Sequence, residues 1–206
     1  LGRFKEAIAS YQLTAETMEK LKESEVALHK EGAAAFYDKN IRYTNNNMAT
    51  IYFELEEYDQ AEKLYQKCIE MLGEPHDTID YLDLATYRKN LAEIALMQAA
   101  GMEGEEKEQH LKEAVNLAEQ ALQLSEQYGD LPFNHISKKL MLSQTYYAVG
   151  RTQEALALAD EALALAQTID DAYLLAEIHS VYGEFEANEG HYQAAERYYS
   201  EAAAIA

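Results

Sequence analysis

Apolar residues return every three or four positions along most of this chain, the period of a helix with one buried face. The pattern predicts helices near 3–22, 33–55, 58–72, 78–100, 108–128, 134–149, 152–167, 171–188 and 192–205, with the stretch between 22 and 35 the least regular. The breakers agree. Gly73-Glu74-Pro75 and Gly129-Asp130-Leu131-Pro132 separate consecutive stretches, because glycine accepts the left-handed backbone that closes a helix and proline cannot continue one. Asp77, Asp130 or Asn134, and Asp170 stand where amino-terminal caps are expected.

A short phrase recurs at the turns: Gly2-Arg3-Phe4-Lys5-Glu6-Ala7, Glu56-Glu57-Tyr58-Asp59-Gln60-Ala61, Gly150-Arg151-Thr152-Gln153-Glu154-Ala155 and Gly190-His191-Tyr192-Gln193-Ala194-Ala195. An aromatic or similar residue two positions after the start, with alanine three later, suits two antiparallel helices that turn tightly and pack closely. Hairpins of that kind stack into a solenoid, so the expected fold is all-α, a right-handed superhelix of helical hairpins. The small residues Ala49, Ala61, Ala92, Ala114, Ser143, Ala155, Gly183 and Ala195 are expected at the close helix crossings.

The surrounding residues carry a family resemblance. Met48, Ala49, Tyr52, Tyr58, Ala61, Tyr65 and Cys68 appear in one order, and Leu142, Ser143, Tyr146, Gly150, Ala155, Ala159 and Ala162 repeat it. Tyr182, Gly183, Gly190, Tyr192, Ala195, Tyr199 and Ala202 form a further unit. Leu91, Ala92, Ala95, Ala114, Ala118 and Ala121 form another if about ten residues, Ala99 to His110, are inserted as an elongated turn. This resembles the tetratricopeptide repeat. The resemblance implies one solenoid over 1–206, with a half repeat at 1–30 and repeats at about 33–75, 78–129, 134–168 and 171–206. Alanines at 7, 61, 114, 155 and 195 are spaced by 54, 53, 41 and 40 residues, wider than the family's usual period of about 34. Long repeats of this sort resemble those of kinesin light chains and of Gram-positive peptide-pheromone receptors.

From that resemblance follows a protein- or peptide-binding scaffold that uses a concave groove and is not catalytic through its repeats. The alternative is the sensor module of a bacterial signalling or transcription regulator. The family's groove positions select Tyr43, Asn47, Thr50, Lys89, Asn90, Glu93, Met97, Met141, Gln144 and Tyr147 as contacts for a peptide. Asn47 and Asn90 are expected to hold its backbone, since an amide offers a donor and an acceptor together. Met141 and Val181 occupy the corresponding place in the last two units, and Lys89 and Lys138-Lys139 are candidates to receive an acidic group. Most tyrosines, Tyr52, Tyr58, Tyr65, Tyr146, Tyr192 and Tyr199 among them, are expected in the repeat core.

Charge narrows the partners. The chain has 17 basic and 37 acidic residues in 206, a net −20 spread along its length, and such a surface repels nucleic-acid phosphates. No apolar run approaches a membrane span. The single cysteine, Cys68, fits a reducing compartment, and a cytoplasmic location is expected. Six histidines lie far apart, so neither a metal nor another cofactor is expected. The chain begins without methionine at Leu1-Gly2-Arg3-Phe4, which reads as the end of one helix turning into the next, so a fragment of a larger protein is expected. Phe4, Ala7, Ile8 and Tyr11 would then lack cover, and self-association through that end is a further expectation.

Overall fold

The computed structural model describes residues 2–30 and 32–205. Among the described residues there are nine α-helices and no strand: α1 (Gly2–Ala27), α2 (Ala33–Glu54), α3 (Tyr58–Leu72), α4 (Thr78–Ala100), α5 (Gly104–Tyr128), α6 (Pro132–Ala148), α7 (Thr152–Ile169), α8 (Ala172–Asn188) and α9 (Tyr192–Ile205). They form two compact units, Leu1–Ile94 and Ala95–Ala206, with the division inside α4.

Three of the four recurring phrases close helices in the same way. Glu56, Gly150 and Gly190 have φ of 60°, 80° and 81°. The next residue's N–H reaches back to a carbonyl, Glu57 to Tyr52 at 2.9 Å, Arg151 to Tyr146 at 2.8 Å and His191 to Glu186 at 2.8 Å. This left-handed cap satisfies carbonyls that the helix end leaves open. The new helix starts at the third residue of each phrase, Tyr58, Thr152 or Tyr192. The first phrase lies within α1, which begins at Gly2, and the turn expected at Leu1 lies outside the described residues.

Two expectations are corrected. Residues 99–110 are mostly helix: α4 runs to Ala100 and α5 begins at Gly104, four residues before the predicted start. The run Glu105-Glu106-Lys107-Glu108 has no apolar period, but its residues favour helix, and Glu105 and Glu106 complement the helix dipole in the first turn. The cap of α8 is Asp171, whose carboxylate accepts from Leu174 N–H at 3.0 Å, whereas Asp170 is the left-handed end of α7. Asp77 does cap α4, accepting from Asp80 N–H at 2.9 Å.

In the first unit, α1 packs on α2 and α2 on α3, around Ile41, Met48, Ala49, Ala61, Tyr65 and Cys68. Ile8, expected to lack cover, is buried, while Phe4 stays 39% exposed. In the second unit, Ala155, Ala159, Ala162 and Ala166 make a buried stripe on α7 against Ile136, Leu140, Leu174 and Ile178. Side chains this small let helices approach to about 8–9 Å. The Ser143 hydroxyl donates to the Ala155 carbonyl at 2.7 Å across one such crossing. At Gly183 a Cβ would stand 2.7 Å from the Tyr199 ring, so the aromatic ring occupies the space a side chain would need. All eight small residues expected at crossings are buried.

Candidate functional site

The ten expected contact residues fall in both units, and each unit holds its share differently. In the first, Tyr43, Asn47 and Thr50 lie on α2, and Lys89, Asn90 and Glu93 on α4. Several are already engaged. Thr50 and Tyr65 share a hydrogen bond of 3.2 Å between their hydroxyls, and Asn90 lies beside the Tyr65 hydroxyl, where it favours the ionised form. Burial, outweighing both neighbours, pushes that hydroxyl up to about 12. The Lys89 ammonium is held by Glu93 at 2.7 Å, one helical turn on. Asn47 and Tyr43 are exposed, and the Asn47 amide has no hydrogen bond among the described residues.

In the second unit, side chains from four helices surround a cavity of about 420 Å³. Leu96, Met97, Ala99 and Ala100 come from α4, and Lys107 and Leu111 from α5. Gln144, Tyr147 and Ala148 come from α6, and Glu184, Phe185 and Asn188 from α8. Tyr147 stacks on Phe185 with ring centroids 4.1 Å apart and planes within 9°. Its hydroxyl is shared between the Phe185 carbonyl at 3.0 Å and Glu189 at 3.1 Å. Burial and then Glu189 push that hydroxyl up to about 12, with Glu184 and Glu186 adding to the effect, so Tyr147 remains a neutral donor. Gln144, Asn188, Lys107 and Glu184 line the cavity without a hydrogen bond or ion pair to any described residue.

Met97, Gln144 and Tyr147 thus come together at one cavity, but Met141 does not join them. It is 3% exposed, as Val181 is 4%, because α6 and α8 pack on each other and turn these positions into core. Lys138 and Lys139 are not free to receive an acidic partner either: Lys138 is paired with Asp130 and Lys139 with Glu161, each at 2.7 Å. Tyr192, expected in the core, is 73% exposed, and Tyr199 is 44% exposed although its ring packs over Gly183 of α8. Lys107 and Phe185 were missed by the groove rule. Lys107 belongs to the stretch read as a turn, and Phe185 directly follows Glu184 on α8.

Reactive groups elsewhere are engaged in holding the fold. The Cys68 thiol is fully buried, donates to the Arg42 carbonyl at 3.4 Å, and is pushed up to about 12 by burial, so it is not a thiolate nucleophile. Ser125, His135 and Asp130 stand together, with Ser125 Oγ 2.9 Å from His135 Nδ1 and 3.2 Å from Asp130. That serine is buried and contacts both partners itself, which leaves no exposed nucleophile and no relay from acid through imidazole to hydroxyl. Asp130 accepts from Lys138 at 2.7 Å and from Leu131 N–H at 2.9 Å, so the cluster clips α5 to α6. Among the described residues no group of three or more His, Cys, Asp or Glu is placed to hold a metal ion. No described helix is long and apolar enough to cross a membrane.

The family model for the tetratricopeptide repeat matches residues 44–76 and 139–169, the hairpins α2–α3 and α6–α7. No curated protein matches the chain by sequence. Among solved structures, a Rap protein complexed with competence and sporulation factor is similar at 18% identity and TM-score 0.67, over 99% of this chain and 63% of its own. Bacillus thuringiensis PlcR, in complex with the peptide PapR7 and DNA, is similar at 16% identity and TM-score 0.63, over 99% of this chain and 69% of its own. Kinesin light chain repeats from Podosopora anserina are similar at 13% identity and TM-score 0.58, over 99% of this chain and 91% of theirs. These likenesses establish the fold, an all-α helical-repeat solenoid.

Proposed function

Because this chain carries tetratricopeptide repeats, we propose that it is a non-catalytic scaffold that binds an extended peptide segment of a partner protein. The observation that carries this reading is the cavity of the second unit. Its volume of about 420 Å³ lies in the range that ligand sites occupy, and it combines an apolar bed with a few convergent polar groups. Gln144 and Asn188 each offer an amide donor and acceptor for a peptide backbone, while Leu96, Met97, Leu111 and Phe185 receive a side chain. In the first unit Asn47 is available to a backbone, and Asn90 lies beside the Tyr65 hydroxyl. Similarity to PlcR, whose structure contains a peptide, supports the same class of ligand.

The test uses Ala148→Trp, which adds a large side chain at the exposed end of α6 beside the cavity without entering the core. Fluorescence polarisation with randomised twelve-residue peptides should find binders of the native chain that the variant loses by about tenfold or more, at unchanged helicity. Binders indifferent to the substitution would remove the cavity from the reading. The second reading, a sensor module of a larger regulator, is supported by the likeness to Rap and PlcR. The coding sequence on either side of this segment tests it, since a sensor requires an effector domain in the same protein.

A further inference from the structure

Around this cavity the charges are unequal. Lys107 is the one basic side chain in the lining, whereas Glu184 is in the lining and Glu186 and Glu189 both act on the Tyr147 hydroxyl. Glu189 is fixed there by its 3.1 Å bond from Tyr147, and Glu186 faces His191 at 2.9 Å. Glu184 is exposed and has no ion-pair partner among the described residues. The imbalance extends past the rim, because residues 95–206 carry 19 Asp and Glu against 6 Lys and Arg. An anionic ligand would have to enter against that field. The walls inside are apolar, with Leu96, Met97 and Leu111 on one part and the Tyr147–Phe185 stack on another.

One class of side chain satisfies both halves of this environment. Lysine and arginine carry a long hydrocarbon stem under a cationic head, so the stem can lie on apolar wall while the head stays among carboxylates and water. An aromatic ring beside the head adds a cation–π attraction. Resting on the peptide-binding reading above, we infer that the second-unit cavity selects a peptide with a lysine or arginine at the position that enters it, and that Glu184 is the residue that sets this preference. Lys107 opposes the same ligand and limits its affinity.

Three twelve-residue peptide pools test this, identical in their randomised, uncharged background and differing only at a central position: Lys or Arg, Gln or Ser, and Asp or Glu. Fluorescence polarisation on the native chain should rank the basic pool first by about tenfold over the acidic pool, with the gap narrowing as salt is raised, because charges at a rim are screened. Glu184→Gln should weaken the basic pool about fivefold and leave the neutral pool unchanged. Lys107→Gln should strengthen the basic pool a few-fold. If the neutral or acidic pool binds best, or if Lys107→Gln weakens binding, the charge preference is overturned while peptide binding stands. If no pool binds at all, the peptide reading itself falls and this inference with it. Both substituted residues are at the surface and outside the core, and circular dichroism of each variant matching the native chain confirms that binding alone has changed.

Discussion

The two units differ in how far their polar side chains are engaged by the rest of the chain. In the first, Asn47 is open, but Lys89 pairs with Glu93, Thr50 bonds Tyr65, and the buried Arg42 faces Asp80 at 3.2 Å and Asp83 at 3.4 Å. In the second, Lys107, Gln144, Glu184 and Asn188 border a cavity and lack such partners, while the strong pairs Lys138–Asp130 and Lys139–Glu161 lie elsewhere. Polar groups already bonded to each other add to stability and offer little to a ligand. Polar groups around an apolar cavity contribute nothing to folding, and a ligand would give them their partners. The difference separates residues that hold the chain together from residues left open at a cavity.

The largest expected effect lies in the pair that joins α5 to α6. With side-chain exposures of 3% and 1% for Lys138 and Asp130, Asp130→Asn leaves an ammonium buried without its counter-charge. It should destabilise by about 3–5 kcal/mol in urea unfolding. Burial alone would raise the Asp130 carboxyl, but the hydrogen bond and charge of Lys138, with Asn134 and the Leu131 N–H, hold it below the usual carboxylate range. A depressed folded-state pKa means that this contribution is complete above the unfolded value of about 4 and is lost as pH falls through the folded value. An acid titration of the native chain should therefore show a loss of stability beginning near pH 4 that Asp130→Asn lacks. Asp83 in the first unit moves the other way, since burial raises its carboxyl despite Arg42.

Next in size is Ala155→Leu. Ala155 is fully buried where its carbonyl receives Ser143, so overpacking should cost about 1–3 kcal/mol. An unchanged denaturation midpoint would remove the repeat alignment itself. The comparison between units is sharpened by a matched pair of substitutions: Thr50→Val should lower stability by about 1 kcal/mol because the buried Tyr65 loses its partner, and Asn188→Ala should leave it within about 0.5 kcal/mol. Equal effects would erase the distinction between an engaged and an open polar group. The smallest effect is a gain. Glu56 holds φ of 60° where the equivalent phrases have Gly150 and Gly190, so Glu56→Gly should stabilise by about 0.5–1 kcal/mol.

Much of the fold was legible in the sequence because two signals coincide at each repeat: a 3.6-residue apolar period and a small residue at each helix crossing. Ala61, Ala155 and Ala195 stand out even without a partner helix in view. Residues 99–110 were not legible, because Glu105-Glu106-Lys107-Glu108 is polar all round and periodicity has nothing to detect, although its propensity is helical. The groove rule found Met97, Gln144 and Tyr147, which do meet at a cavity. It misplaced Met141, because whether a position on one helix faces solvent or core depends on where the neighbouring helix lies. It also passed over the carboxylates within reach of three lysines: Glu93 lies four residues after Lys89 on the same helix and is readable from spacing, whereas Asp130 and Glu161 reach Lys138 and Lys139 only through packing.

The most direct test of the account is a titration of methyl-labelled chain with the tightest-binding basic peptide, followed by NMR. A peptide seated in the second-unit cavity gives saturable shifts at the methyls of Leu96, Met97 and Leu111, and these disappear in Ala148→Trp. Saturable binding that shifts only methyls away from the cavity, such as Leu13 or Leu21 on α1, would contradict it.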